Sequence, residues 1–417
     1  MSRLTFFLSV LFISGLIYAQ SGRPQILYSN FIQLPSGDSG DVYYTFKIPL
    51  NRLVFEKGSD LFLAQYRISV EVFDSSGQRF VTRAIKEKII QVPDYEQTSS
   101  SVIYSEGLLK LDLLPGTYSV MEILYDYKSD RELKLPAYLM SVEPVKNILS
   151  PLVVDGSTAE CSNRLVLANY GGGLPFDENK YSFIIPVRNA KSDSMFVNVI
   201  QNKDTLYKAV ITNPIKEKIS LGECGGKVII DTSSGSIAYS LFTITGISNR
   251  IKEGGFQIAL SEKDETEKQE KFQLGCKWID KPLSLRNPEM AISALKFIEK
   301  DSVISELLSG DEEDYPSKLF EYWKKMDPTP ETEFNPLMQE FYTRIDYAVK
   351  NFATITGANG ANTDRGKVYI RFGKPIDVDR TSDAYGNIIE TWTYNNPQRK
   401  FVFVDKKGTG DFSLISG

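Results

Sequence analysis

The chain has 417 residues, 42% of them hydrophobic and 12% aromatic, a composition of packed globular domains rather than of a disordered polymer. Its 48 basic and 53 acidic residues leave a formal charge of −5, which argues against nucleic acid as a partner because phosphate binding needs a basic surface. There is no histidine, so mechanisms built on a histidine base or a histidine-ligated metal are excluded, while carboxylate, lysine and tyrosine chemistry stays open.

The N-terminal MSRLTFFLSVLFISGLIYAQ reads as a secretory signal peptide. Arg3 supplies a positive start, Leu4 to Ile17 a short apolar run, and Ala19 a small residue at the expected cleavage point. The run is too short for a comfortable membrane span, and no later segment approaches one. The expectation is a periplasmic or secreted protein with no transmembrane segment in the mature chain. The roughly 400 residues after Ala19 divide into two or three units at the usual domain size.

From 20 to 148 the pattern is β. Val42, Tyr44, Phe46, Ile48 and Leu50 alternate, as do Tyr66, Ile68, Val70 and Val72, the period of half-buried strands. The stretch DSSGQ reads as a turn, and Pro115-Gly116 as another in which glycine takes positive φ. From 149 to 283 a second β unit is expected. Tyr181, Phe183, Ile185 and Val187 alternate, and a hairpin turns near Asn202 and Asp204. A second hairpin is expected at Ser234-Gly235, and the mixed-sign run SEKDETEKQEK reads as the solvated tip of a third. Both units are read as immunoglobulin-like sandwiches.

Beyond 284 the period changes to helical. Asn287 and Pro288 make a cap and first turn, followed by Ala291, Leu295 and Ile298. Leu319, Tyr322, Trp323 and Met326 mark a second helix. Asn335-Pro336 opens a third, with Leu337, Phe341, Ile345, Ala348 and Phe352 on its stripe. Four short strands are then expected, in KVYIRFG, IIETWTY, KFVFVD and DFSLI, so the last unit, 284–417, is α+β. The fold class is therefore mainly β, two sandwich domains followed by a helix-plus-small-sheet domain.

Three cysteines, Cys161, Cys224 and Cys276, leave at least one thiol over. Cys161 and Cys224 are a candidate bridge, with three separate thiols as the alternative. GANTDRGKVYIRFGKP, residues 360–375, suggests a phosphate loop at first sight. Ala361 stands where such a loop needs its first glycine, Val368 replaces the hydroxyl residue, and a strand rather than a helix is expected to follow. YGGGLPF reads as a flexible turn, GDEEDY as carboxylates ahead of a helix, and SALK as a chance match to a four-letter motif. No cofactor, metal site or catalytic constellation emerges.

The C-terminal third resembles the GWxTD domain family of exported bacterial proteins. The blocks that carry the resemblance are WKKMDPTPETEFN, FYTRIDYAVKNF, TDRGKVYIRFGKP, ETWTY and FVFVDKKGTGDFSLI, in that order. The naming motif falls on Gly360, Ala361, Asn362, Thr363 and Asp364, with alanine where the family has tryptophan. The resemblance implies a domain and a compartment, and no reaction. Thr363, Asp364, Arg365 and Gly366, with Lys374, Trp392 and Tyr394, form a candidate interaction corner for envelope proteins or polysaccharide. Read as turn chemistry instead, the same block has Asp364 in an Asx-type turn, Gly366 at positive φ, and Val368, Ile370 and Phe372 on one face of a strand. The competing reading is a carboxylate-based, glycan-active hydrolase using two of Asp327, Asp346, Asp364 and Glu390.

Overall fold

A computed structural model describes residues 26–35, 40–158, 164–169, 173–232, 235, 237–262, 269–355 and 357–417. Residues 1–19, where a signal peptide is expected, Cys161, Ser234 and the tip of the SEKDETEKQEK run lie outside them. The molecule is mainly β, with a C-terminal unit of helices and a small sheet. Among the described residues no helix is long and apolar enough to cross a membrane.

The first alternating strands fold as their period requires. Gly40–Pro49 lies between Tyr28–Gln33 and Tyr104–Leu113 in a three-stranded antiparallel sheet. It turns Val42, Tyr44, Phe46 and Ile48 onto a second sheet built around Phe62–Asp74 and Gly116–Asp126. Tyr66, Ile68, Val70 and Val72 meet them there, all buried. Full burial of such a side chain contributes roughly 1.5–3 kcal/mol, so these residues carry much of the sandwich's stability. Leu114-Pro115 carries the chain from one sheet to the other rather than closing a hairpin. Gly116 begins the next strand without positive φ, unlike the expected turn glycine. DSSGQ is a turn, with Gly77 at φ 74° joining Phe62–Asp74 to Phe80–Val92.

The opposite face of the three-stranded sheet is also covered. Ile32, Leu34 and Tyr43 pack on Leu152, Val154, Leu167, Ile184 and Tyr239 of a seven-stranded sheet. That sheet is apolar on both sides, because its other face carries Phe183, Ile185 and Val187 against Met195, Val197 and Val199 of a five-stranded sheet. Strand Tyr181–Val187 is therefore a nearly continuous apolar run rather than a half-buried one. Asn202 (φ 50°) and Lys203 (φ 73°) make the tight turn between Ser194–Gln201 and Asp204–Thr212, the left-handed pair that a two-residue hairpin favours. The strands on either side of the expected Ser234-Gly235 hairpin, Lys227–Asp231 and Ala238–Ile244, do not pair with each other. Lys227–Asp231 pairs with Leu165–Leu167 and Ser220–Cys224, while Ala238–Ile244 pairs with Tyr181–Val187 and Ile215–Lys218. Alternation gives each strand's faces but not its neighbour. Residues 170–172 of YGGGLPF lie outside the described residues, while Gly173–Pro175 is a strand parallel to Glu270–Lys277, and a Cβ on Gly173 would lie 1.8 Å from the Gly275 carbonyl oxygen. Cys224 is disulfide-bonded, and Cys276 is free and buried.

In the C-terminal unit, after the four-residue helix α1 (Tyr95–Thr98) in the first β region, come α2 (Pro288–Ala294), α3 (Asp301–Leu307), α4 (Tyr315–Lys324), α5 (Pro336–Asn351) and α6 (Asp364–Phe372). Asn287 and Asn335 cap α2 and α5, each side chain accepting from a backbone N–H at 3.0 Å, with proline in the first turn. Leu319, Trp323, Phe341, Ile345, Ala348 and Phe352 are buried as their stripes require, whereas Ile298, Met326 and Leu337 are exposed. Helix α3 carries no side-chain cap and no fully buried residue, but Ile304, Leu307 and Leu308 recur at helical spacing and pack against the core, a signal the sequence reading passed over. The helices pack on a four-stranded antiparallel sheet of Asp377–Ser382, Ile388–Asn395, Gln398–Asp405 and Ser413–Ser416.

Its first strand is not KVYIRFG. That stretch forms α6, whose N-terminus is capped by Thr363 and whose C-terminus stops at Gly373 (φ 78°) ahead of Pro375. Val368, Tyr369 and Ile370 are buried on the helix, with Phe372 packed beside them, so they do not line a strand face. The phosphate-loop reading still fails at Ala361 and Val368, though a helix does follow.

Candidate functional site

The Thr363–Gly366 corner is an interior joint. Thr363 Oγ1 accepts from the Gly366 N–H at 3.1 Å and donates to the Gly360 carbonyl at 2.7 Å. Gly366 is helical, and its requirement for glycine is close approach rather than positive φ. A Cβ there would sit 2.0 Å from the Gly360 oxygen, and one on Gly360 would sit 2.1 Å from the Ala348 oxygen. The single turn at Gly360–Asn362 is thereby wedged between α5 and α6. Asp364 accepts from the Leu414 N–H at 3.0 Å, tying α6 to the last strand instead of closing an Asx turn.

Arg365 points inward. It is buried, pairs with Glu390 at 3.4 Å, donates to the Gly410 carbonyl at 3.1 Å and lies 4.0 Å from the Phe412 ring centre. Asp405 holds that loop by accepting from the Gly410 N–H at 2.7 Å. Glu390 also receives Arg380 Nε at 3.1 Å and Trp392 Nε1 at 2.7 Å. Burial raises the Glu390 carboxyl's pKa, but Arg380, Trp392 and Arg365 outweigh it and hold it below the ordinary value. Trp392 and Tyr394 are core residues, the Tyr394 hydroxyl donating to the Gly373 carbonyl at 3.0 Å. Of the seven expected corner residues, only Asp364 and Lys374 present exposed side chains with charge. Lys374 reaches away to Glu96 of α1 at 2.7 Å, bridging to the first β region. Sequence reasoning missed Arg380, Asp405 and Phe412. The one available signal was the opposite charge of Arg380 and Glu390, which only pairing register could connect.

The four carboxylates of the hydrolase reading do not form a pair. Asp327 caps the turn at Thr329 at 2.8 Å, and Asp346 accepts from the Leu283 and Ser284 backbone N–H groups. Asp364 and Glu390 are committed as above, and no two of the four share a hydrogen-bond partner.

A concave site does exist elsewhere. A groove of about 1730 Å³ runs where the first β region, the segment Ile279–Arg286 and helices α2 and α5 converge. Its volume exceeds the roughly 300–1,000 Å³ of small-molecule sites. Phe176, Trp278 and Phe334 form an aromatic cluster with ring centres 5.4–5.5 Å apart, fastening the second β region to the C-terminal unit beside it. Large apolar side chains stay exposed in the groove, with Tyr95 at 71% and Met290 at 60%, joined by Val102 and Leu283. The Tyr28 hydroxyl donates to the Ile279 carbonyl at 3.2 Å. Asp280 receives Gln339 Nε2 at 2.7 Å, and burial raises its pKa. Ala361 and Asn362 of the naming motif, Asp346 and Lys374 also lie on the lining. No single sequence stretch announces this site, because its walls come from positions between 28 and 374.

Residues 260–414 match the family model of the GWxTD domain. The match begins in strand Gly254–Glu262, so it includes the last hairpin of the second β region as well as the helices and small sheet. No curated protein matches the chain. A serine-rich repeat adhesion glycoprotein from Streptococcus agalactiae is among the solved structures that match, at 8% identity over 58% of this chain and 89% of that one. Its TM-score of 0.19 is too low to support any argument about this protein.

Proposed function

We propose that this is an exported, non-enzymatic protein of the cell envelope or the secreted fraction, in which β-sandwich modules and a GWxTD domain jointly bind a macromolecule. The observation that carries this reading is the groove, whose lining gathers exposed apolar side chains from three parts of the chain. Clustered exposed apolar surface marks an interaction site more often than it serves the fold. The earlier candidate corner fits this role poorly, since its side chains are largely consumed in packing. Domain limits of 20–148, 149–283 and 284–417 belong to the same proposal.

The test uses Ser293→Trp, a neutral substitution at an exposed groove position on α2. Quantitative capture from envelope extracts is expected to lose its specific partners with this variant and to keep them with Thr381→Trp on the far sheet. Equal capture by wild type and Ser293→Trp would reject the groove as the binding surface. Intact mass of the protein recovered from the native host tests export, with a mature N-terminus beginning after Ala19 as the expected result.

A further inference from the structure

We propose that the outward face of the first sandwich, remote from the groove in function, is a twofold interface with a second copy of this chain. The face belongs to the sheet of Phe62–Asp74, Phe80–Val92 and Gly116–Asp126. Tyr66, Ile68, Val70 and Val72 point into the core, so the intervening Arg67, Ser69 and Glu71 point out. An antiparallel sheet with one solvated face ordinarily turns polar residues outward. Here Phe80, Ile85 and Ile89 hold outward positions on the flanking strand and are 55%, 44% and 63% exposed. Met121 and Ile123 are half-buried on the other flank. Exposed apolar side chains gathered in this way mark an interaction surface.

The order of the charges identifies the occupant. Along the sheet, Arg67 stands between Glu87 and Tyr125, then Ser69 between Ile85 and Ile123, then Glu71 between Arg83 and Met121. The two charged rows thus exchange their signs about the apolar row between them. A twofold axis lying across the strands, over that middle row, brings the third row of a second copy onto the first row of this one. Arg67 then faces Glu71 of the second copy, Glu87 faces its Arg83, and Ile85 and Ile123 meet their own counterparts. Tyr125 meets Met121, a favourable sulfur–aromatic pairing, and Ile89 meets Phe80. Two arginines against two glutamates sum to zero, as a self-complementary patch requires. Face-to-face packing of twisted sheets at about 30° is a common arrangement that permits these contacts. Within one copy Arg83 and Glu71 form a long pair at 3.7 Å, and Arg67 lies 5.1 Å from the Tyr125 ring centre. Glu87 accepts from the Tyr127 hydroxyl. Oxygens and guanidinium donors are therefore left for a facing copy. Lys134, beyond Ile123 at the rim, would meet its own counterpart, but it pairs with Glu132 at 3.4 Å and keeps its ammonium in solvent.

Sedimentation velocity on the chain from residue 20 onward, at micromolar concentrations, tests this. A dimer in exchange with monomer is expected. Ile85→Glu sets two carboxylates against each other on the axis and should leave only monomer. Arg67→Glu and Glu71→Arg each place like charges face to face and should weaken the dimer at least about tenfold. Mixed together, these two variants should associate with near wild-type strength, because one presents only acids and the other only arginines at those positions. All three positions point away from the core, and thermal melts confirm that each variant is folded. A wild type that stays monomeric overturns the proposal and leaves Ile85 and Ile89 serving strand propensity alone. A dimer that survives Ile85→Glu, or a mixture that does not associate, overturns it as well.

Discussion

Glu122 in the first sandwich and Glu390 in the C-terminal sheet are equally buried, each 3% exposed, yet their surroundings are opposite. Glu122 receives the Ser29 hydroxyl at 2.7 Å and the Tyr138 hydroxyl at 2.8 Å, with no cation among these donors. Burial raises its pKa, and the hydroxyls only partly offset that. Glu390 sits between two guanidinium groups and an indole N–H, and its pKa is lowered despite burial. Depth therefore does not set the charge state of a buried acid; the charge of its donors does. In the sandwich, folding favours the neutral acid. In the C-terminal unit, folding fixes the anion, and with it the otherwise unmatched Arg365.

The sharpest way to break this contrast is Glu390→Ala. It leaves Arg365 buried without its counter-ion, and a loss of about 3–5 kcal/mol is expected in chemical denaturation of the C-terminal unit. A loss below about 1 kcal/mol would mean that water already compensates Arg365. The pH dependence tests the same contrast without mutation. The folded pKa of Glu390 lies below its ordinary 4.5, so its stabilisation is present above that value and is lost as pH falls through the folded value. The folded pKa of Glu122 lies above 4.5, so the fold gains stability there as pH falls through it toward 4.5. Hydrogen exchange, corrected for intrinsic rates, should show rising protection in Gly116–Asp126 on mild acidification and falling protection in Ile388–Asn395 below about pH 4.5.

Thr363→Ala comes next, at about 1 kcal/mol for a lost helix cap, with Thr363→Ser close to wild type. That helix is also where sequence and structure part most clearly. The run Val368-Tyr369-Ile370-Arg371-Phe372 is rich in β-branched and aromatic residues, and local propensity favours a strand. Tertiary packing against α5 overrides it, stacking Tyr369 on Tyr347 with ring centres 4.3 Å apart. The boundary signals were present nonetheless: Thr363 ahead of Asp364, then Gly373 with Pro375 soon after. In the sandwiches, by contrast, period-two alternation made Val42 to Leu50 and Tyr66 to Val72 legible, while pairing order across the seven-stranded sheet was not. The groove was the least legible feature, because residues such as Arg52 and Met290 carry no local pattern and acquire meaning only beside one another.

Glu122→Gln should change stability by less than about 1 kcal/mol at neutral pH, since it removes a costly ionisable group while keeping an oxygen that accepts from Ser29 and Tyr138. A loss as large as that of Glu390→Ala would show that the Glu122 anion is itself held in place, and the contrast between the two acids would fail.

The smallest effect belongs to Lys374. Its pair with Glu96 joins the C-terminal unit to the first β region, but both side chains are largely exposed and solvent screens them. Lys374→Ala should therefore cost only a few tenths of a kcal/mol in denaturation, within the range of exposed pairs. The same residue lies on the groove lining, so a role in positioning the two walls would appear in binding rather than in stability. If it does so, Lys374→Glu should weaken capture of the groove's partner, and adding Glu96→Lys should restore it by re-forming the pair with its charges exchanged. Weakening without such rescue would place Lys374 in direct contact with the partner instead.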